Sequence, residues 1–394
     1  MRTTKMKSRI VSRVLASASL CLALGVILPG NDGPLAESQT RDAPAQTEST
    51  VRVGVFGLFH PREFQVNALT GQAVVLRTGD ESVTLERSSG VHSAAIQFSA
   101  ARIVATVGTR VIPASAITVT GRKNEPVDFL LAIPGKITRR YHGTLEIRPS
   151  AGTLLAIVTL DQETAVASVV AAESAPDAPL EALKAQAIAA RSYFVAARGR
   201  HHDFDFCDTT HCQFLRNPPA EGSAVDSAVN ATRGLVLAYN SQPFPAMYTR
   251  SCSGHTRTPA QLNLSGTSYP YYSVQCEYCR SHPVRWTSRI LPKDAALLPS
   301  SDEAARLNID RRLGWNTVPS NDFVANSDGD QVVLKGIGNG HGIGLCQSGA
   351  KAMAESGASF REILSHYYPN TTIIRWPATN FQEQTQSGNA ARTR

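Results

Sequence analysis

The hydrophobic pattern of this chain changes period part-way along, and that change limits the fold more than any other feature. Across residues 51–143, short β-rich stretches such as Gln72-Ala73-Val74-Val75-Leu76 and Ala116-Ile117-Thr118-Val119-Thr120 alternate with Gly, Asn and Asp turns. Leu145-Glu146-Ile147-Arg148 and 154–160 continue the pattern as a hairpin-like pair around Pro149-Ser150-Ala151-Gly152. The spacing then turns helical. Residues 179–193 read as a helix, with Pro179 at its first position, Glu181 in its first turn and Gly199 as its stop. Strand-like stretches at 234–239 and 332–334 flank a loop-rich segment, and helices at about 348–355 and 360–367 follow. The expected class is α+β, a β-rich N-terminal region followed by a mixed helix/sheet core.

The first thirteen residues carry Arg2, Lys5, Lys7, Arg9 and Arg13 without an acid, and 14–28 is apolar. This is the layout of a secretory signal, or of an uncleaved anchor, since no small-x-small cleavage site follows it. Cys21 follows Leu20 rather than a small residue and does not mark a lipoprotein site. The expected location is therefore outside the cytoplasm: periplasm, cell wall or extracellular space. Polar, small-residue stretches at 34–49 and 382–394 read as disordered. The formal net charge of +7 includes the five leader bases, so the remainder is weakly basic and gives no support for nucleic-acid binding. An anionic wall polymer suits it equally well.

One acid stands out. Glu173 closes the apolar run 165–172 and precedes a proline-bounded turn, and apolar surroundings raise a carboxyl pKa towards the range useful for proton donation. In the helix that follows, Lys184 and Arg191 lie seven apart, two turns along one face, beside an apolar stripe of Leu180, Leu183, Ala187 and Phe194. His341 sits between Gly340 and Gly342, where the backbone can turn tightly and approach a ligand. Cys207, His211 and Cys212, with His201 and His202 upstream, form a composition suited to Zn²⁺; a Cys207–Cys212 disulfide is the rival in an exported chain. Cys252, Cys276 and Cys279 form a second group near His255 and His282, for which a disulfide is the favoured reading and a second zinc the alternative.

Four blocks in order carry a family resemblance: Val169-Val170-Ala171-Ala172-Glu173 with 179–193; Cys207-Asp208-Thr209-Thr210-His211-Cys212-Gln213; Ala246-Met247-Tyr248 with 251–256; and Gly340-His341-Gly342-Ile343-Gly344-Leu345-Cys346-Gln347. They resemble the SpoIID/LytB family, whose sporulation member is a peptidoglycan lytic transglycosylase. Charge, composition and alternation divide the chain into 1–30 as signal peptide or N-terminal anchor, 31–50 as linker, 51–140 as a β-rich region and 379–394 as a tail, and the resemblance, carried from about Tyr141 to Tyr368, implies 141–378 as a SpoIID-like catalytic domain. It implies Glu173 as the catalytic acid. Lys184, Arg191, Tyr248, Ser251, Ser253, His341 and Gln347 would contact the glycan, and His201, Cys207 and Cys212 would hold a structural zinc, with His202 the rival for His201. Ser253 stands where relatives often have Gly, and Cys346 where Ser is common.

The expected reaction is cleavage of the MurNAc–GlcNAc bond of peptidoglycan glycan strands with an anhydro-muramyl product, Glu173 serving as acid and then base. LytB-type relatives modify an amidase without cutting glycan, so a glycan-binding partner of a cell-wall amidase is the alternative. A water-using muramidase is a third option. A thiol hydrolase built on Cys346 and His341 is conceivable on residue types alone.

Overall fold

In the computed structural model, which describes residues 50–79, 81–99, 102–264, 267–298 and 301–376, the alternating segment forms one large curled sheet. The long strand Ile137–Ser150 explains the curl. Its first half pairs with Val127–Ile133, and its second half with Thr153–Asp161 and Ile117–Thr120. Gly143 marks the handover: a Cβ there would fall 2.3 Å from the Thr159 carbonyl oxygen, so a side chain would force the strands apart. This strand runs across position 140, so the β-rich region and the start of the following core share one sheet. Alternation does the rest. Phe64, Val66 and Ala68 turn inward while Glu63, Gln65 and Asn67 are only partly covered.

The strand Thr153–Asp161 leads directly into helix α1 (Gln162–Glu173), whose first turn is capped by the Asp161 carboxylate accepting from Glu163 N–H and Thr164 N–H. Residues Ala165 to Val170 are buried on every side, which places α1 inside the molecule between the sheet and α2 (Leu180–Ala196). Pro179 caps α2 from outside, and the helix ends three residues before Gly199. One face of α2, with Leu183, Ala187, Ala190 and Phe194, belongs to the sheet's core. Its other face, with Ala185, Ile188 and Ala189, belongs to a second core with Phe244, Tyr269, Tyr271 and Tyr368. Alanines let both layers approach this one helix closely.

Helix α3 (Ala224–Ala231) packs on α1 and α2. Around the second core lie strands Leu235–Tyr239 and Thr372–Arg375 with α4 (Glu277–Ser281), α7 (Gln347–Glu355) and α8 (Phe360–Tyr367), while α5 (Pro292–Ala295) and α6 (Glu303–Leu313) belong to a third, separate cluster. The segment expected as loops holds structure of its own: strands Arg285–Ile290, Phe323–Asp328 and Gln331–Ile337 form an antiparallel sheet backed by α5 and α6. Its core is small. In α6 the buried positions include Glu303, Arg306 and Asp310, joined as an ion network, so the helix reads as polar in sequence although it is covered in space.

Among the described residues no helix is long and apolar enough to cross a membrane. The expected leader, the 31–50 linker up to residue 49 and the 379–394 tail lie outside the described residues.

Candidate active site

Glu173 is the last residue of α1, and its Oε1 accepts a 2.9 Å hydrogen bond from the Phe214 backbone N–H. The carboxyl is half-buried at the floor of an open cleft of about 520 Å³, mouth included, lined also by Ala178, Gln186, Arg250, Gln347 and Lys351. Burial pushes its pKa up to about 7, against the opposing pull of the Phe214 N–H, the Arg216 and Arg250 charges and the Tyr248 hydroxyl. The negative end of the α1 dipole acts in the same direction as burial. The balance leaves an acid that can give up and recover a proton near neutrality.

Three segments distant in sequence build the surroundings. Tyr248 lies on the short strand Tyr248–Thr249, parallel to Leu345–Cys346. Its hydroxyl donates to Gln213 Oε1 at 2.9 Å, and Gln213 Nε2 donates to the Ala190 carbonyl of α2 at 3.3 Å. Burial and the neighbouring Glu173 push the Tyr248 pKa well above its ordinary value, so it remains a protonated donor. Ser348, at the start of α7, donates through both its N–H and its hydroxyl to the Arg250 carbonyl, at 3.1 and 2.9 Å. The Arg216 guanidinium stacks 3.1 Å over the Phe214 ring, bringing a positive charge towards the acid. Two amides face the cleft without full partners: Gln186, only 3% exposed, has neither amide atom hydrogen-bonded, and Gln347 lacks a partner for Nε2. Buried amides of this kind call for a polar ligand.

Residues 150–239, which carry α1, α2, α3 and Glu173, match the family model described as "SpoIID: Stage II sporulation protein". An uncharacterized protein of Brachyspira hyodysenteriae is 30% identical over 273 residues, 61% of this chain and 74% of the relative. Stage II sporulation protein D of Bacillus subtilis is 26% identical over 256 residues, covering 54% of this chain and 74% of that one. The chain belongs to the SpoIID/LytB family. A further Bacillus subtilis relative, named amidase enhancer, is 25% identical over 277 residues, half of this chain and 38% of the relative. Membership of this family and the likeness to an amidase enhancer support a cell-wall-related role.

In this SpoIID/LytB chain the other residues singled out in sequence fall into distinct places. Arg191 is fully buried and does not reach the cleft: its guanidinium forms a bidentate pair with Glu163 of α1, at 2.9 and 2.6 Å, and donates to the Leu235 carbonyl at 2.9 Å. Lys184 pairs with Glu181 at 2.7 Å and lies over the Phe360 ring of α8, outside the cleft lining. The seven-residue spacing gives both cations one helix face, but the neighbouring helices cover that face. Ser251 is buried against the Cys279 sulfur, and Ser253 is not among the cleft residues. His341 Nδ1 accepts from the Ile343 N–H at 3.0 Å, and burial lowers its pKa, so the ring is neutral within its glycine turn. Gln347 does line the cleft. Sequence reasoning assigned no role to Gln186, Gln213, Phe214, Arg216 or Arg250.

The ligand atoms of His201, Cys207, His211 and Cys212 all lie within 4.8 Å of one another. His201 Nε2 stands 3.3 Å from Cys212 Sγ, and His211 Nδ1 stands 3.7 and 3.6 Å from the two sulfurs. His211 thus adds a fourth donor to the three expected from the family. His202, 98% exposed in its side chain, turns to Asp203 instead. Two imidazoles and two thiols within this span fit a tetrahedral zinc. The same loop carries Gln213 and Phe214, so whatever holds it also holds the donor to Glu173. The second cysteine group gathers differently from the expectation: Cys252, Cys276 and Cys279 are free thiols joined by Cys346, while His255 and His282 stay outside, exposed. Cys346, fully buried among sulfurs, has no route to act as a nucleophile.

Proposed function

We propose that this protein is an exported lytic transglycosylase that cuts the MurNAc–GlcNAc bond of peptidoglycan glycan strands, with Glu173 as the acid and then the base. The observation that carries the reading is a half-buried carboxyl, its pKa raised to about 7, facing a cleft in which it is the single acid among the lining residues. Other nearby acids are engaged: Asp177 with Lys351, Glu181 with Lys184, Glu163 with Arg191. A two-carboxylate glycosidase needs a second acid across the scissile bond. This cleft suits a reaction in which the substrate provides the nucleophile.

In that reaction protonated Glu173 donates to the glycosidic oxygen as the bond from muramyl C1 breaks, leaving the GlcNAc hydroxyl. The muramyl C6 hydroxyl closes on C1, and its proton passes to the Glu173 carboxylate. The acid is regenerated and no water is consumed. Tyr248 and Arg250 stabilise the carboxylate between the two transfers, and the amides of Gln186 and Gln347 supply donors and an acceptor for the acetamido groups of the sugars. His201, Cys207, His211 and Cys212 would hold a zinc whose contribution is to cross-link the loop that presents Phe214 N–H.

Digestion of purified glycan strands followed by mass analysis tests the reading. Anhydro-muramyl ends from the native protein, and none from Glu173→Gln, support it; reducing ends instead indicate a muramidase. The second reading, a non-catalytic glycan-binding partner of a cell-wall amidase, is favoured by the likeness to the amidase enhancer, and predicts binding with no cleavage.

A further inference from the structure

We infer that Cys252, Cys276, Cys279 and Cys346 form a second, structural zinc site, independent of whether the cleft is catalytic. All four sulfurs lie within 4.8 Å of one another and all four residues are buried. In a zinc–tetrathiolate site, Zn–S bonds of about 2.3 Å put neighbouring sulfurs about 3.8 Å apart. Cys279 and Cys346 stand at 3.5 Å, close to that edge and far from a disulfide bond length of about 2 Å.

Polar groups contact three of the four sulfurs. The Cys252 N–H donates to Cys346 Sγ at 3.3 Å; the Ser251 hydroxyl lies 3.4 Å from Cys279 Sγ and the Tyr367 hydroxyl 3.4 Å from Cys276 Sγ. Such contacts disperse the charge of metal-bound sulfur. Space is tight as well: a Cβ on Gly349 would fall 2.5 Å from Cys276 Sγ and 2.0 Å from the Tyr367 hydroxyl, so α7 can approach the cluster only with glycine at that position. With four protein ligands and no solvent access the ion would have no open position, which makes it a structural site.

Its place in the fold gives it a purpose. Cys252 follows the strand that carries Tyr248, Cys276 and Cys279 bracket the start of α4, and Cys346 is the N-cap of α7. One ion would therefore join three segments that are separate in sequence. It would fix the start of α7, and with it Gln347 and Ser348 at the cleft wall.

The test uses the full chain, purified without chelator, with metal content measured by elemental analysis. A Cys207→Ser/Cys212→Ser variant, which removes the other candidate site, should keep about one equivalent of zinc per chain; adding Cys346→Ser should remove it. Should Cys346→Ser fail to fold, cobalt substitution of the Cys207→Ser/Cys212→Ser variant serves in its place, the expected result being the absorption of a four-sulfur tetrahedral cobalt centre. Iron in place of zinc, or peptide mapping that finds these cysteines joined in disulfides with no metal bound, overturns the inference.

Discussion

The backbone N–H of Phe214 donates to the Glu173 carboxylate at 2.9 Å across 41 residues of sequence. Phe214 lies two residues beyond Cys212, so the loop that gathers two histidines and two cysteines also sets the hydrogen bonding of the acid at the end of α1. The half-buried acid and the loop of candidate metal ligands are one construction.

Replacing Glu173 by Gln keeps an oxygen to accept from Phe214 and removes the proton. Glycan cleavage should fall at least about 10²- to 10⁴-fold, the usual contribution of a positioned general acid. The circular dichroism spectrum should be unchanged. Retained cleavage would end the proposed role of this residue.

The raised pKa makes a signed prediction about stability. Glu173 titrates near 7 when folded and near 4.5 when unfolded, so the native state holds the extra proton between those values. Stability from this group is therefore present below about 4.5 and is lost as pH rises towards 7. Relative to Glu173→Gln, the native protein should lose about 2 kcal/mol across that window, discounted for partial exposure. Urea unfolding at several pH values measures it. A difference that stays flat with pH rules out the raised pKa.

Tyr248→Phe removes a hydroxyl that favours the ionised carboxyl and leaves Gln213 Oε1 without its donor. The fall of activity at alkaline pH should move to higher pH, and the orphaned oxygen should cost about 1–3 kcal/mol. A pH–rate profile with the native midpoint would show that Tyr248 does not tune the acid.

Arg191 and Lys184 should behave unequally. Arg191→Ala strands Glu163 in the interior and should destabilise by about 3–5 kcal/mol, with activity recovering in whatever fraction folds. Lys184→Ala breaks a partly exposed pair worth about 0–1 kcal/mol. Comparing thermal unfolding with the KM-against-kcat split separates packing from substrate contact; a large KM change in folded Lys184→Ala would return that residue to the glycan site.

The sheet, α2 and the last two helices were legible because their patterns are local: alternation over a few residues, alanine-rich helical spacing, proline and acid at a helix start. Helix α6 was not, because Glu303, Arg306 and Asp310 satisfy one another in the interior and so carry the signature of a solvated loop. The same limit misplaced Arg191. Helical spacing reports which residues share a face, but the partner that covers the face, Glu163 of α1, is set by packing.

By itself the chain determined that an acid ends an apolar run and that thiols and imidazoles cluster ahead of Gln213, since both are matters of neighbouring residues. Only the tertiary structure decided that Phe214, Tyr248 and Arg250 surround that acid, that Gln186 lies unpartnered beside it, and that Cys346 joins sulfurs up to 94 residues away. Desolvation and hydrogen bonding act through distance in space, and pairings across tens of residues leave no periodic trace in the sequence.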